Sequence, residues 1–306
     1  MNMVTHAHSS EHYAYAKKAS TPEGAGLYIQ GFEFDGTVCF RKGAASGPNA
    51  FREVAEGIES YSPYLNIDLE NEERFFDLGN IVLPTSENID SNFLGAVKNF
   101  EQCFQHINLK DSSIKLLTLG GEHSISIAPI KKYLECYQDL VVVHLDAHAD
   151  LRDGYLGHHY SHASIIRRSL DLFGAEHELI QYGIRSGTME EYDEMKARKS
   201  LCLSRSEFLE RIKLIPNNRP IYLTLDLDFF DPAFLPGTGT PEAGGEDFHC
   251  FISLVKVLKD KNFVGADIVE LAPEIDPTGN SSVFGTKVLR ETAASLLLSS
   301  KNRGES

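Results

Sequence analysis

The feature that most constrains this chain is a pair of apolar runs that end in crowded carboxylates. Residues 140–145, Leu-Val-Val-Val-His-Leu, lead into Asp146-Ala147-His148-Ala149-Asp150, and residues 221–225, Ile-Tyr-Leu-Thr-Leu, lead into Asp226-Leu227-Asp228-Phe229-Phe230-Asp231-Pro232. Runs that apolar and rich in β-branched residues read as buried strands. Alternate residues of an extended chain face one way, so Asp146, His148 and Asp150 are expected to converge, as are Asp226 and Asp228. Carboxylates gathered at the ends of apolar strands repel one another, and burial raises the cost further unless a cation neutralises them. The pattern asks for metal.

Seven such runs, at 27–32, 75–81, 115–119, 140–145, 179–184, 221–225 and 264–269, alternate with helical patterns. This predicts βαβ units and an α/β fold whose mostly parallel sheet is covered on both faces. Phe93, Val97, Phe100, Phe104 and Ile107 mark one helical face, and Pro48 suits the first turn of a helix with Ala50, Val54 and Ile58 on its apolar side. Further helices are expected after Ser124, His162, Gly187, Glu246 and Ser282. No repeat or long linker interrupts the chain, so one domain over 1–306 is the simplest reading, with 1–24 as a loosely packed extension. Ligands of open parallel sheets bind beyond the carboxyl ends of strands. Gly120-Gly121-Glu122-His123-Ser124 closes the run 115–119 and would bring His123 to the same rim as the aspartates.

Composition narrows the partners. An excess of 44 acidic over 29 basic residues gives a formal charge of −15, which disfavours nucleic acid and anionic membranes and suits a cationic ligand. The five cysteines are scattered without a Cys-x-x-Cys pair, as expected of free thiols in a reducing compartment. The N-terminal stretch carries His6, His8, Glu11 and His12 but no apolar core of a signal peptide, and no run reaches membrane-spanning length, so a cytoplasmic location is expected.

Each motif alone has an ordinary alternative. Asp-x-His-x-Asp fits a solvated turn, a histidine after Gly-Gly-Glu fits a cap or a core position, and Asp-x-Asp before Asp-Pro fits an Asx-turn. Together they offer two histidines and four aspartates, a mixed oxygen and nitrogen set for two divalent ions. Oxygen-rich ligation without thiolate favours two Mn²⁺ over zinc and leaves Ni²⁺, Co²⁺ and Fe²⁺ open. Such a pair lowers the pKa of a water between the ions, which implies hydrolysis.

These motifs, with Phe34-Asp35-Gly36-Thr37, Arg41-Lys42-Gly43-Ala44-Ala45-Ser46-Gly47-Pro48, Pro236-Gly237-Thr238-Gly239-Thr240-Pro241, Gly244-Gly245 and Val269-Glu270-Leu271-Ala272-Pro273, resemble the ureohydrolase family, which includes arginase and agmatinase. The resemblance covers nearly the whole chain. It departs from the family pattern at Glu122, where Asp is frequent, and at Thr224, where Ser is common. It implies a three-layer α/β/α domain of the arginase/deacetylase-like fold. One metal would be held by His123, Asp146, Asp150 and Asp226, the other by Asp146, His148, Asp226 and Asp228. It further implies that Glu270 grips a substrate guanidinium, that Asp150 accepts a proton and that His162 shuttles one. A small cationic guanidino substrate and a trimeric or hexameric homo-oligomer are implied as well.

The segment that precedes His162 reads Leu-Arg-Asp-Gly-Tyr-Leu-Gly-His-His-Tyr-Ser and resembles the agmatinase branch rather than the Asn-rich arginase pattern. Asp153 would attract a terminal amine, or is a surface turn residue beside Gly154. Arg152, His158 and His159 would instead accept a carboxylate, or are solvated loop residues. The expected substrate is agmatine or an extended agmatine, hydrolysed to urea and a di- or polyamine in polyamine biosynthesis, with aminopropylagmatine, carboxyaminopropylagmatine and guanidinobutyrate as alternatives. A single-zinc amidohydrolase of deacetylase type and a non-catalytic binding protein are the rival classes, and the full ligand set argues against both.

Overall fold

The structure, a computed structural model, describes residues 4–5 and 12–301, so His6, His8 and Glu11 lie outside the described residues. Its strands are β1 (Val4–Thr5), β2 (Lys17–Lys18), β3 (Gly26–Phe32), β4 (Tyr61–Ser62), β5 (Ile67–Asp68), β6 (Phe75–Ile81), β7 (Ile114–Gly120), β8 (Val141–Leu145), β9 (Glu178–Tyr182), β10 (Leu201–Cys202), β11 (Pro220–Asp226) and β12 (Asn262–Val269). Strands β4 and β5 form a small hairpin, and the other ten make one sheet in the order β1-β6-β3-β7-β12-β11-β8-β9-β10, with β2 also beside β6. Every pair in that sheet is parallel except β1 with β6.

Helices α1 (Gly47–Ala55), α2 (Ile89–Phe104), α3 (Leu109–Ser112), α4 (Ile127–Cys136), α5 (Ile165–Leu170), α6 (Met189–Arg198), α7 (Arg205–Leu214), α8 (Phe248–Leu258) and α9 (Asn280–Lys301) cover both faces. Alternation along β8 divides the core: Val141, Val143 and Leu145 join Phe51 of α1, Phe208 of α7, Leu254 of α8 and Leu289 of α9. Val142 faces the other way, toward Phe100 of α2, Tyr133 of α4, Ile166 of α5 and Met195 of α6. A strand buried on both faces needs a continuous apolar run, which is why these segments are so apolar. The expected three-layer α/β/α architecture is what the chain adopts.

All seven expected strands form, with bounds shifted by two residues at most; helices follow Ser124, His162, Gly187 and Glu246 as expected, and the helix expected after Ser282 begins two residues earlier, at Asn280. Ile107 and Ile58 fall beyond the ends of α2 and α1, and the buried face of α1 keeps the expected Ala50 but adds Phe51, Arg52 and Ala55, while Val54 is only half-buried. Helix α7 was not apparent because it buries only Phe208 and Ile212 among charged residues. Part of the described N-terminal segment is anchored to the sheet, although most of residues 12–24 are exposed. Tyr13 is buried, its backbone N–H donates to Asp77 Oδ2 at 2.7 Å, and β2 pairs with β6.

That carboxylate belongs to a buried ion pair. Arg52 donates from Nε and Nη2 to the two oxygens of Asp77 at 2.8 and 2.9 Å and from Nη1 to Asn80 at 2.5 Å, with both charged side chains almost fully enclosed. It ties α1 and the N-terminal segment to the edge of the sheet. Removing one partner leaves the other charge buried and unpaired. Arg52→Met is therefore expected to cost about 3–5 kcal/mol in urea-unfolding experiments, with much of the loss recovered by adding Asp77→Asn. Equal stability of Arg52→Met and the native chain would show that the pair contributes nothing.

Candidate active site

Four adjacent parallel strands, β7, β12, β11 and β8, deliver their carboxyl ends to one rim. After β7 the chain turns through Gly121, where a Cβ would lie 1.9 Å from the Phe34 carbonyl oxygen, so only glycine fits that approach. The turn places His123. Strand β12 ends beside Glu270, β11 carries Asp226 and leads to Asp228, and β8 leads to Asp146, His148 and Asp150. The last three do not converge by strand alternation, as the sequence reading assumed. β8 ends at Leu145, His148 bridges to Ser186, and Asp150 has a left-handed backbone with φ of 54°. Glu270 is also left-handed, at φ 67°. Non-glycine residues held in that region carry local strain, which clusters at functional sites.

Two groups of ligand atoms result. His123 Nδ1 lies 3.0 Å from Asp146 Oδ2, 3.1 Å from Asp150 Oδ2 and 3.4 Å from Asp226 Oδ2. His148 Nδ1 lies 3.4 Å from Asp146 Oδ1 and 3.0 Å from Asp228 Oδ2. Asp146 thus turns one oxygen to each group, the arrangement a bridging carboxylate requires. Asp226 turns its Oδ2 to the first group, while its Oδ1 accepts the Asp228 N–H at 2.8 Å. His123 Nδ1 is fully enclosed and makes no aligned hydrogen bond despite three oxygens within reach. A lone pair aimed at a knot of carboxylates fits a divalent cation, and the donor set of imidazole and carboxylate suits a pair of them.

The electrostatics agree. Burial, reinforced by the Asp146 charge, pushes the Asp150 carboxyl up to about 7. Burial with Asp228 and Asp146 nearby drives Asp226 well above the carboxylate range, and burial with Glu122 nearby does the same to Glu270. Against the desolvation that opposes it, Asp146 is held well below its ordinary value by His123, His144 and His148. Without cations these groups hold together by sharing protons and through the surrounding imidazoles.

A further layer orients the ligands. Thr224 donates to Asp267 Oδ1 at 2.7 Å, so its oxygen accepts from His123 Nε2 at 2.9 Å, which leaves Nδ1 unprotonated for a metal. His144 also reaches the first group, with Nε2 2.9 Å from Asp146 Oδ2. Its Nδ1 accepts from Gln181 Nε2 at 3.2 Å, so Nε2 carries the proton and His144 steadies Asp146 instead of competing for a cation. Sequence reasoning passed over both Asp267 and His144, although His144 stands two residues before Asp146 on a strand and so shares its face.

A cavity of about 200 Å³ opens over the second group, lined by His148, Asp150, His162, Arg152, Tyr155 and Cys39 among others. Burial, with His148 and His123 nearby, lowers His162 to about 4 and keeps its imidazole neutral. Glu270 lies deeper, with Oε1 accepting the His123 N–H at 2.8 Å. Three of the four residues expected to contact a substrate tail do not line this cavity. Asp153 and His159 are taken by Arg168, at 2.6 and 2.7 Å, and His158 by Asp90 at 2.7 Å. Only Arg152 lines it, with its guanidinium 4.7 Å from the Tyr155 ring centroid.

The model of the Arginase family matches residues 25–294. The chain is 38% identical to the agmatinase of Bacillus cereus over 283 residues, 90% of this chain and 94% of that protein. It is 32% identical to the N(1)-aminopropylagmatine ureohydrolase of Thermococcus kodakarensis, covering 84% and 87%. Among solved structures it superimposes on the agmatine ureohydrolase of Thermoplasma volcanium with a TM-score of 0.78 at 28% identity, over 95% and 96% of the two chains. The chain belongs to the arginase family. Within it this ureohydrolase is agmatinase-like, and the His/Asp cluster stands where a metal-dependent hydrolase needs one.

Metal uptake by this ureohydrolase should displace protons. A carboxyl raised by burial favours the fold when protonated, a contribution present at acid pH and lost as pH rises through about 7. Cation binding needs that proton gone. Titration of Mn²⁺ into the metal-free enzyme at about pH 6 is expected to release protons, with affinity rising toward about pH 8. Calorimetry in buffers of different ionisation enthalpy counts them, and a pH-independent affinity without release would remove Asp150 from the ligands.

Proposed function

We propose that the enzyme hydrolyses the guanidino group of agmatine, or of an agmatine extended by an aminopropyl arm, to urea and a primary amine, with two Mn²⁺ as cofactor. The observation that carries this reading is the double ligand group built on Asp146, with a buried carboxylate, Glu270, bonded to the backbone of the ligand His123. The agmatinase-like relatives favour the agmatine class, and an active product would be the diamine or polyamine that such a substrate yields. His123, Asp146, Asp150 and Asp226 would hold one ion, and Asp146, His148, Asp226 and Asp228 the other. When bound, the pair supplies Lewis acidity and an activated water near neutral pH.

The protein's own groups do the rest. A guanidinium carbon is a poor electrophile because resonance spreads its charge, so it must be held in one orientation. Glu270 fixes the planar cation through charge-assisted hydrogen bonds. Asp150 accepts the proton that water loses as its oxygen bonds to the guanidinium carbon, and neutral His162 carries a proton to the nitrogen bearing the tail. The bond between carbon and that nitrogen then breaks, giving urea and the amine.

Two measurements test the reading. Urea release from the Mn²⁺-loaded enzyme is expected to rank agmatine or aminopropylagmatine above carboxyaminopropylagmatine and guanidinobutyrate, and arginine about 10²-fold or more below the best substrate. Arginine turned over as fast as agmatine would end the assignment to this branch. Glu270→Gln is expected to keep its metals and lose about 10²-fold in kcat/KM, the worth of a charge-assisted bond to the cation. Full activity in that variant would remove Glu270 from the site.

A further inference from the structure

We infer that Glu122, through the hydroxyl of Thr37, fixes the ring tautomer of His162, making Glu122 and Thr37 positioning residues for the proton shuttle. This rests on the reading of His162 given above. Glu122 follows the Gly120-Gly121 turn, is fully enclosed and touches no substrate-facing surface. Its Oε2 accepts the Thr37 backbone N–H at 2.7 Å, and its Oε1 accepts the hydroxyls of Thr37 and Ser124, both at 2.5 Å. The same turn is stitched to the strand that precedes Thr37: Gly121 N–H donates to the Phe32 carbonyl at 2.8 Å and Glu122 N–H to the Phe34 carbonyl at 2.7 Å.

The hydroxyl hydrogen of Thr37 is therefore committed to a carboxylate. What remains on Oγ1 is acceptor capacity, and both contacts it makes on the other side are to His162, the backbone N–H at 3.3 Å and ring Nδ1 at 3.3 Å. A backbone N–H only donates. With the hydroxyl hydrogen already placed, Nδ1 must donate as well. A neutral imidazole carries one ring proton, so Nε2 is left as the basic nitrogen, and it has no protein partner among the described residues. His162 lines the cavity together with Asp150 and His148. The chain thus hands the cavity a nitrogen that is free to take a proton and return it.

The arrangement parallels the Asp267-Thr224-His123 chain, in which a carboxylate also sets a threonine hydroxyl and through it a histidine tautomer. Two such chains thus meet in one site, one on His123 and one on the shuttle.

The test is a double-mutant cycle on the Mn²⁺-loaded enzyme, with metal content measured for every variant. Thr37→Val and Glu122→Gln are expected to lower kcat about tenfold or more with KM and metal content unchanged, while Thr37→Ser keeps native kcat because it keeps the hydroxyl. His162→Ala is expected to lower kcat about 10²-fold, and adding Thr37→Val to it should cause no further loss. If Thr37→Val lowers kcat by the same factor with and without His162, or if the loss follows lost metal, the relay is overturned while the role of His162 stands. Native kcat in His162→Ala would instead overturn the shuttle reading on which the relay depends.

Discussion

Confinement of like charge at the ends of adjacent apolar strands governs this structure. Strands β8 and β11 are paired in register, so Asp146 and Asp226, each at a strand end, are forced into one small space. Water cannot screen them there, since both are almost fully enclosed. Only a small set of neighbours relieves such crowding, namely cations, imidazoles and shared protons. The chain supplies the imidazoles from His123, His144 and His148 and leaves the remaining imbalance for metal. The same constraint makes the rim a donor set that fits divalent ions, as expected of a metal-dependent family.

Placing such charges requires rigid support, and the supports are all polar chains that end in the core. Asp267 takes hydrogen bonds from Ser126, in the turn after β7, and from Tyr222 and Thr224 of β11, three buried hydroxyls on two segments. Burial still lifts its pKa, yet those donors and the nearby His123 pull it back toward the ionised form. Gln181 reaches from β9 to His144 and is itself anchored by Ser200 at 2.8 Å. His123 and Asp146 are each held by a partner that has its own partner, which limits the reorganisation needed when cations bind.

The sheet, the two-faced cover and the meeting of three strand ends were legible because each rests on local pattern. Continuous apolar runs identify strands buried on both sides, and parallel order follows from helices of adequate length between them. What escaped the sequence depended on distance. Nothing along 152–160 shows that Arg168, on the following helix, captures Asp153 and His159, or that Asp90 reaches across from α2 to His158. Their charges suggested substrate contacts, but in the fold they are satisfied by one another. Arg52 was equally hidden: an arginine on the apolar face of α1 reads as solvated until Asp77 is seen opposite it. The N-terminal segment followed the same rule, since a polar stretch with two tyrosines gives no periodic signal, and its packing depends on Asp77 as well.

A site built on mutual repulsion weakens the fold that carries it. Carboxyls at Asp150, Asp226 and Glu270 are all shifted upward, so ionising them in the absence of cations works against the folded state. The opposing stabilisation comes from elsewhere, in the two core layers and in buried pairs such as Arg52 with Asp77 that lie at the sheet edge, away from the rim. Separation matters here, because a rigid periphery lets the centre keep a geometry that no isolated loop would hold. Cations that bind only the folded site then reverse its electrostatic cost, and stability rises with their concentration by linkage. Folding and catalysis are in this way two consequences of the same carboxylates.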